Sequence, residues 1–442
     1  MSQDVMSTVG TYELLTFGVM VAVFCFSAFK LKLPIGLAML VAAVTGAITG
    51  GAFLPLPDLL RHMAEGSFAY FDPILIISAA TIFMFIIEEN GLMKTLARWM
   101  IITFHRRPVL LLAAITVIIM FPGMLTGSST AAVLTTGALM SPVLLHLGVP
   151  RAKTGAVIAM AALFGMAAPP VNIPALIIGA GVDLPYVGLD IPLLVMTVPL
   201  ALCTTWALAL KHCRNIDLEV IKKNLPTSSL PEHGPKLFLP LLVLAVLIVF
   251  ERAFPHLSNM GLPLIFLIAT LVATRTGHRV NFLKISQKAM AAAIPILAIL
   301  VGVGIFIQVM TLTGARGEVV TQAVRLPRGW LGLYPVMACS LPLFGAVSSF
   351  GAASVLGVPF VLSLPTSSQV VIVNTAALSL IASLGDLMPP TALAGLFAAQ
   401  VVGEKKYVRV LKWCLVPGVI TAIVGILFIY WAGPIGNALV IF

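Results

Sequence analysis

The sequence predicts an all-α polytopic membrane protein built from two inverted repeats, with re-entrant helical hairpins and discontinuous helices. Its 442 residues are 60% hydrophobic and only 10% charged, with a mean hydropathy of +1.09, whereas a soluble domain carries about 25% charged residues. A polar pattern that occurs twice at one offset predicts the repeats, and the distribution of basic residues predicts their opposite orientations.

Two uncharged stretches are too long for a single membrane crossing. Residues 108–150 and 329–385 contain no Asp, Glu, Lys or Arg. Because one crossing helix takes about 20 apolar residues, each stretch must hold more than one crossing or a re-entrant hairpin. This composition excludes a soluble protein, and the net charge of +10 does not imply a nucleic-acid partner.

Basic residues are concentrated where the inner side of the membrane is expected. Lys30 and Lys32 follow the first apolar segment, Lys211 and Arg214 belong to the central polar segment, and Lys405 precedes the last apolar run. The positive-inside rule then places the N-terminus outside, the central loop inside and the C-terminus outside. Each half crosses an odd number of times, so the two halves have opposite orientations.

Apolar segments follow one another in a similar order in both halves. The first repeat, 1–211, is predicted to contain Leu14–Phe29, Pro34–Phe53, Pro73–Ile87, Val109–Phe121, the region around Ser128, Thr154–Ala168, Val171–Gly181 and Ile191–Leu210. A cytoplasmic linker is predicted at 212–236. The second repeat, 237–442, is predicted to contain Leu237–Phe250, Leu262–Ala273, Ala289–Leu312, Leu331–Phe344, the region around Ser348, Val370–Leu384, Ala392–Val402 and Cys414–Trp431. The amphipathic piece Leu92–Phe104 is expected to lie along the membrane interface.

The repeated pattern consists of Ser, Gly and Pro residues that a membrane-spanning helix normally avoids. The first copy comprises Ser128, Ser129, Gly137, Gly165, Pro169 and Pro170, and the second comprises Ser348, Ser349, Gly357, Gly385, Pro389 and Pro390, each 220 residues later. Upstream, Phe83 and Gly91 are echoed by Phe306 and Gly314 at an offset of 223 residues. The constant spacing favours a true repeat over coincidence, and broken helices in corresponding positions of two halves are typical of secondary transporters.

The segment Pro122–Thr130 is predicted to form the tip of a hairpin. Pro122 removes a backbone donor and Gly123 tolerates unusual backbone angles, so we expect the helix to break there. Non-helical backbone at membrane depth is tolerated only where it is buried in protein or lines a wet cavity. Hydroxyls and freed carbonyls should therefore face inward, where such neutral oxygens are suitable ligands for Na⁺.

Two ion cages, with substrate between them, follow from the repeat. The predicted metal-site residues are Ser128, Ser129, Gly165 and Pro169 in the first copy, and Ser348, Ser349, Gly385, Asp386 and Pro389 in the second. The predicted substrate-binding residues are Thr126, Thr130, Asn172 and Thr391, with Thr154 and Asn374 as weaker candidates. The alternative is that serine and glycine only permit close helix packing, which is common in membrane proteins.

Asp386 differs from the rest of the pattern because it stands where the first copy has Met166. An ionisable residue at membrane depth is a functional candidate, so Asp386 could coordinate Na⁺ or carry a coupling proton. Aspartate is also a good helix N-cap. A purely structural role at the half-helix beginning near Pro389 is therefore an equal alternative.

Catalysis is not predicted. The chain has no nucleophile elbow around its serines. It also lacks a Gly-Lys-Ser/Thr phosphate-binding loop, so ATP is not expected to drive it directly. Its five cysteines are scattered without metal-ligand spacing, and they predict neither a disulfide nor a zinc site.

At these residues the chain resembles the large membrane subunit, the DctM type or M subunit, of tripartite ATP-independent periplasmic (TRAP) transporters in the ion transporter superfamily. The similarity includes the run Thr126-Gly127-Ser128, with Gly137 and the turn at Leu147-Gly148. It also includes the proline loops Ala168-Pro169-Pro170 and Met388-Pro389-Pro390, together with the pieces that end at Gly91 and Gly314, and so covers nearly the whole chain.

The resemblance implies an elevator-type, Na⁺-coupled symporter of a small organic acid with a carboxylate, in a bacterial inner membrane. It implies two partners, which are a soluble periplasmic substrate-binding protein and a small four-helix membrane subunit. Three features depart from the family pattern: Ala132, the pair Thr391-Ala392, and Asp386. A stand-alone Na⁺- or H⁺-coupled organic-anion carrier therefore stays open as the alternative, with an ion channel as a weaker one.

Overall fold

The structure is a computed structural model that describes residues 3–50, 55–186, 188–213, 229–254, 260–327, 329–365, 367–389 and 391–439. Throughout these ranges the secondary structure is helical, with no β-strand. Nine helices in this part of the chain are long and apolar enough to cross a membrane. The prediction of an all-helical membrane protein is therefore confirmed.

The helices are numbered here in chain order. Those of the first half are α1 (Gln3–Phe29), α2 (Ile35–Thr49), α3 (Leu56–Phe68), α4 (Phe71–Glu89), α5 (Leu92–Phe104), α6 (Pro108–Thr126), α7 (Ser129–His146), α8 (Arg151–Ala167), α9 (Ile173–Gly181) and α10 (Asp190–Ala209). Those of the second half are α11 (Leu239–Ala253), α12 (Gly261–Thr276), α13 (Phe282–Leu312), α14 (Ala315–Arg325), α15 (Leu333–Gly345), α16 (Ser349–Ser363), α17 (Ser368–Ser383), α18 (Leu393–Val401), α19 (Tyr407–Tyr430) and α20 (Ala432–Leu439). A helical turn at Leu230–His233 precedes α11.

Some boundaries differ from the predicted ones. The expected helix break at Pro122 is wrong, because α6 continues through Pro122 and ends at Thr126. A proline removes only one intrahelical hydrogen bond, and buried packing in a membrane protein tolerates that loss. The first helix begins earlier than predicted, at Gln3. Of the predicted linker, residues 214–228 lie outside the described residues, as does Pro390.

One group of helices, α1–α4 with α11–α13, packs into what we call the frame. The 31-residue helix α13 lies along α2, α3 and α4, and α12 lies along α4. Glycines let these backbones approach closely: a Cβ added at Gly302 would lie 2.9 Å from the Cα of Gly36, and one added at Gly304 would lie 3.2 Å from the carbonyl carbon of Gly66. Small residues at helix crossings are the usual means of close packing in membranes.

The second group, α6–α10 with α15–α19, is called here the core unit. Helix α8 packs against α6 and α10 from its own half and against α18 and α19 from the other half. Helix α17 likewise contacts α9 and α10 of the first half as well as α19. Both α8 and α17 are almost entirely buried. Helices of both halves therefore pack around α8 and α17. Both of these helices end inside the protein.

Local features recur in the two halves at the offsets of the sequence pattern. A π-helical turn interrupts α7 at Val133–Gly137 and α16 at Ala353–Gly357. Helix α5 follows Gly91, whose φ is +87°, and α14 follows Gly314, whose φ is +74°. Glycine is the residue that adopts this left-handed conformation without strain. Each half thus carries the same turns at corresponding positions.

Candidate functional site

The first hairpin is formed by α6 and α7, which meet at Gly127 and Ser128. Gly127 has a φ of +62°, and a Cβ added there would overlap the side chain of Ile173. The Ser128 hydroxyl accepts a hydrogen bond from the Ala131 amide at 3.3 Å and so caps α7. The sequence places a turn here because only glycine fits the position before the cap.

The second hairpin is formed by α15 and α16 and has the same cap. The Ser348 hydroxyl accepts a hydrogen bond from the Gly351 amide at 3.2 Å. Ser128 and Ser348 were both predicted to be cation ligands. Each uses one lone pair of its hydroxyl oxygen to accept a hydrogen bond from an amide of its own helix. A hydroxyl oxygen has a second lone pair, which remains available to a ligand.

Each proline loop is bonded to the hairpin of its own half. After α8 ends at Ala167, the Val171 amide donates to the Met124 carbonyl at 3.0 Å. In the second half, the Thr391 hydroxyl donates to the Ala346 carbonyl at 2.6 Å. Each interrupted helix is thus held against the tip of a hairpin, as the sequence predicts. Pro169 is buried in the first loop, whereas Pro389 is exposed in the second.

The glycines of the two loops allow the backbone of the broken helix to cross that of the hairpin. A Cβ added at Gly165 would overlap the backbone of Met120, and one added at Gly123 would lie 2.8 Å from the Met166 amide nitrogen. In the second half, a Cβ at Gly385 would overlap the backbone of Gly345. Close packing accounts for both glycines. A contribution of their carbonyls to ion binding stays a prediction.

The two hairpin tips meet at Asp386. The Ser129 hydroxyl donates to the Asp386 Oδ2 atom, and the Ser349 hydroxyl is a second hydrogen-bonding partner of the same carboxyl group. Asp386 is 8% exposed, Ser129 1% and Ser349 3%. Three predicted site residues from distant parts of the sequence therefore share one buried cluster, which we call the carboxylate cluster.

The capping role considered for Asp386 is not what the structure has. Asp386 lies in a 3₁₀ turn, Leu384–Leu387, that ends the α17 segment. The N-cap of α18 is Ala392, which makes no side-chain capping hydrogen bond. The two carboxylate oxygens of Asp386 and the two serine hydroxyls instead form a group of oxygen atoms that could ligate a cation. Hard cations prefer oxygen ligands.

The predicted substrate residues have different surroundings. Asn172 is fully buried: its Oδ1 accepts from the Ala175 amide at 2.9 Å, and its Nδ2 donates to the Ala167 carbonyl and to the Ser379 hydroxyl. The Thr126 hydroxyl donates to the Pro122 carbonyl at 2.7 Å. Thr130 and Thr391 are partly exposed. Substrate contact by these residues stays a prediction, and Asn172 would have to give up a protein hydrogen bond for it.

Besides the weaker candidate Asn374, helix α17 carries three buried polar residues that the sequence pattern did not single out. Thr375, Ser379 and Ser383 lie one helical turn apart and are each 0% exposed, and Ser379 pairs with Asn172 across the halves. Neither the Thr375 hydroxyl nor the side-chain amide of Asn374 has a hydrogen-bond partner. The spacing of four residues between these polar side chains was the signal in the sequence that could have found them. The helix is otherwise mostly apolar, so the pattern does not stand out.

A separate cavity of about 470 Å³ lies between α9 and the frame, away from the carboxylate cluster. Its lining includes the acidic residues Asp72, Asp190 and Glu251. Glu251 accepts a hydrogen bond from the Gly261 amide at 2.7 Å. Acidic walls are unfavourable for an organic anion. Arg316 is not among the residues that line this cavity. Its Nη2 atom donates a hydrogen bond to the Gly181 carbonyl at the end of α9, at 2.7 Å.

Comparison with known proteins identifies the family. Residues 18–434 match the family described as the tripartite ATP-independent periplasmic transporter, DctM component. The chain belongs to the DctM family. As a DctM protein it is the membrane subunit of a TRAP-type secondary transporter and a multi-pass membrane protein. Members of this family work in tripartite transporters with a small membrane component and a periplasmic binding component. The predicted resemblance is confirmed.

Two solved structures share the fold of this DctM protein. The Alcanivorax borkumensis YdaH transporter aligns with a TM-score of 0.61 at 16% identity, over 94% of this chain and 98% of its own. Neisseria gonorrhoeae MtrF, described among antimetabolite efflux pumps, aligns with a TM-score of 0.60 at 12% identity, over 93% and 94%. None of the curated proteins matches the chain. At these identities the likeness supports the fold of a membrane transporter.

Proposed function

We propose that this DctM protein is a Na⁺-coupled symporter of a small organic carboxylate that works by an elevator movement in a bacterial inner membrane. Its partners are a periplasmic substrate-binding protein and a small four-helix membrane subunit. The observation that carries the proposal is the meeting of Ser129 and Ser349, from the two hairpin tips, on the buried carboxyl group of Asp386.

A cation is the natural occupant of the carboxylate cluster. A charged carboxylate is costly at membrane depth unless a partner compensates it. Ser129 and Ser349 donate hydrogen bonds to Asp386 but carry no charge. A bound Na⁺ would neutralise the carboxylate, and it would link the two hairpin tips in a single electrostatic contact. Its binding would therefore be coupled to the position of both tips.

The substrate class follows from the ends of the half-helices. Helix α9 begins at Ile173 and α18 at Leu393, directly after the two proline loops. Helix N-termini carry a partial positive charge and favour an anionic group. In transporters built from repeats, such ends face the carboxylate of the substrate. Thr391 and Thr130, both partly exposed, are placed near these breaks and are the residues we propose for substrate contact.

An elevator movement is supported by the division into frame and core unit. Two contacts between the groups are apolar: Phe24 of α1 stacks on Phe344 of α15 with ring centroids 5.8 Å apart, and a Cβ added at Gly351 would lie 2.9 Å from the Met39 side chain. Such contacts have no directional bonds to break, so one body can slide along the other. Opposite orientations of the two halves would place one hairpin on each side of the membrane.

A second candidate is a stand-alone carrier of the same superfamily, coupled to Na⁺ or H⁺. It is favoured by the carboxyl group at Asp386, which departs from the family pattern, and by the similarity of the fold to the two transporter chains named above. The two candidates differ in their need for a binding protein and in the ion gradient that drives them.

Uptake by proteoliposomes tests the proposal. Liposomes containing the purified membrane subunits are given an inward Na⁺ gradient or an inward proton gradient, with and without the binding protein. The proposal predicts uptake of a radiolabelled carboxylate only when both the Na⁺ gradient and the binding protein are present. Uptake driven by the proton gradient alone would reject Na⁺ coupling. Uptake without the binding protein would favour the stand-alone carrier.

A further inference from the structure

At the end of the frame where the second half begins, two histidines and a glutamate from separate segments converge. Glu232 and His233 belong to the helical turn Leu230–His233, and His278 lies in the loop between α12 and α13. The His233 Nε2 and His278 Nδ1 atoms are 3.2 Å apart, and the Glu232 Oε2 atom is 3.9 Å from each of them. Nothing in the transport proposal uses these three side chains.

The geometry points to a divalent transition-metal site, with Zn²⁺ as the best-fitting ion, and we propose that Glu232, His233 and His278 are its ligands. With sides of 3.2, 3.9 and 3.9 Å, the point equidistant from the three ligand atoms lies about 2.1 Å from each. Zinc is bound at about 2.0–2.2 Å by histidine nitrogen and carboxylate oxygen. The three atoms are therefore already spaced to hold the ion.

A neighbouring hydroxyl can support His278 in the tautomer that metal binding needs. The Ser229 Oγ atom lies 3.0 Å from His278 Nε2, on the far side of the ring from His233. When Nε2 carries the proton and donates it to Ser229, Nδ1 is left with a free lone pair. Ligating histidines usually have such a partner on their other nitrogen.

Backbone hydrogen bonds anchor the segments that carry the ligands. The Ser229 amide donates to the buried Thr95 hydroxyl of α5 at 2.9 Å, and the His278 amide donates to the Asn90 carbonyl at the end of α4. The His233 amide donates to the Ser229 carbonyl at 3.0 Å. A bound ion would therefore fasten the helical turn Leu230–His233, which precedes α11, to the α12–α13 loop.

The ligand set also selects among metals. Imidazole nitrogen suits Zn²⁺, Cu²⁺ and Ni²⁺, whereas Ca²⁺ and Mg²⁺ prefer sites made only of oxygen. The side chains of His278 and Glu232 are 48% and 66% exposed, so the ion can enter from solvent, and water can take the fourth position. No metal-binding motif marks this site in the sequence, because its histidines are far apart in the chain and no cysteine takes part.

Metal titration of the untagged, full-length protein in detergent tests this site. We expect one Zn²⁺ per chain in equilibrium dialysis, and the visible absorption of a four-coordinate ion when Co²⁺ is used instead. His233→Ala and His278→Ala should each abolish saturable binding. Ser229→Ala should weaken it by about tenfold, as loss of a partner behind a ligating histidine does. His105→Ala, outside the cluster, is the control and should bind as the unaltered protein does.

Two results would overturn the assignment. One is the absence of a saturable site in the unaltered chain, which would leave the 3.2 Å contact as a plain hydrogen bond between two imidazoles. The other is full binding by a His233→Ala/His278→Ala double variant. Thermal unfolding without metal, compared among the variants, shows whether each is folded, and His278→Gln replaces any alanine variant that is not.

Discussion

Asp386 combines burial, charge and hydrogen bonds to two hydroxyls on different hairpins. Ser129 lies at the start of α7 and Ser349 at the start of α16, so the carboxyl group also lies near the N-terminal ends of two helices. Both the hydroxyl donors and the positive ends of the helices stabilise a negative charge there. A carboxylate held in this way provides a fixed charge for a cation that has to bind and leave.

The first prediction concerns that charge. Asp386→Asn keeps the size of the side chain and removes the charge. We expect the Na⁺ concentration needed for half-maximal uptake to rise about tenfold or more. The reason is that a contact with a charged group is worth about 1.5–3 kcal/mol. The measurement is uptake by proteoliposomes over a series of Na⁺ concentrations. Asp58→Asn, in the first turn of α3, is the control. Equal Na⁺ activation in both variants would argue against a role for Asp386 in coupling.

The second prediction separates neighbouring serines. Ser128 and Ser348 cap their helices, and Ser129 and Ser349 face Asp386. Ser128→Ala should lower the stability of the protein by about 1 kcal/mol, the usual loss for a removed cap. Ser129→Ala should instead raise the Na⁺ requirement of transport more than Ser128→Ala does. Thermal unfolding and Na⁺-dependent uptake of both variants measure the two effects, and the reverse order would contradict this division of roles.

At the residue scale, the sequence identified candidate site residues but not which of them pair with one another. The repeated motif singled out Ser129 and Ser349, and Asp386 stood out because it departs from that motif. It could not tell which hydroxyl of each pair serves as the cap, because that depends on where the helix begins. Nor could it pair Ser129 with Asp386, which are 257 residues apart and meet only through tertiary packing.

Among the elements, the interrupted helices depend on glycines that admit a second backbone. Gly385 of the α17 segment and Gly345 at the end of α15 are in direct contact, and Gly165 and Met120 form the corresponding contact in the first half. This crossing holds each broken helix against its hairpin. Side chains at these positions would force the two segments apart, and the ligand atoms would move with them.

The third prediction tests the crossing. A Cβ at Gly385 would overlap the Gly345 backbone, whereas one at Gly418 would meet only a Leu384 methyl carbon at 3.9 Å. We expect Gly385→Ala to destabilise the protein by about 1–3 kcal/mol, as overpacking does, and to impair transport. Gly418→Ala, in α19, should do neither. The midpoints of thermal unfolding of the two variants measure this difference in stability. Equal midpoints would show that the Gly385–Gly345 crossing has room for a Cβ atom.

At the element scale, hydropathy predicted the order of most apolar helices. It did not predict α3, α14 or α20, and it misplaced one break. The helix Leu92–Phe104 has the bounds expected from its amphipathic pattern, and its position along the membrane interface stays a prediction. The break in the first hairpin lies at Gly127 rather than at Pro122, because the chain can reverse only where a left-handed backbone angle is available. Proline is a frequent helix breaker in water but a tolerated one inside a packed membrane helix.

For the whole molecule, the proposed mechanism treats the frame and the core unit as two bodies. The frame is fastened internally by glycine crossings between α13 and α2. Its contacts with the α15–α16 hairpin include the apolar pairs Phe24–Phe344 and Met39–Gly351. Packing that mixes helices of both halves in each body could not be read from the sequence. Hydropathy indicates that a helix is buried in lipid or in protein, but it does not indicate which other helix it packs against.

The fourth prediction compares two cross-links in a cysteine-free background. Phe24 and Phe344 join the frame to the core unit with ring centroids 5.8 Å apart, and Phe83 and Phe266 join α4 to α12 within the frame at 5.9 Å. Cross-linking a Phe24→Cys/Phe344→Cys pair with Hg²⁺ should stop uptake reversibly. A cross-linked Phe83→Cys/Phe266→Cys pair should transport normally. Continued uptake by the first cross-linked pair would contradict the elevator movement.

The most direct measurement of the central claim is a crystal structure of the protein with Tl⁺ in place of Na⁺, located by its anomalous scattering. We expect an anomalous peak within coordination distance of the Asp386 carboxylate and the hydroxyls of Ser129 and Ser349. The peak should be absent from a crystal of the Asp386→Asn variant. A strong peak elsewhere, with none at this cluster, would contradict the claim that the two hairpin tips hold the coupling ion together.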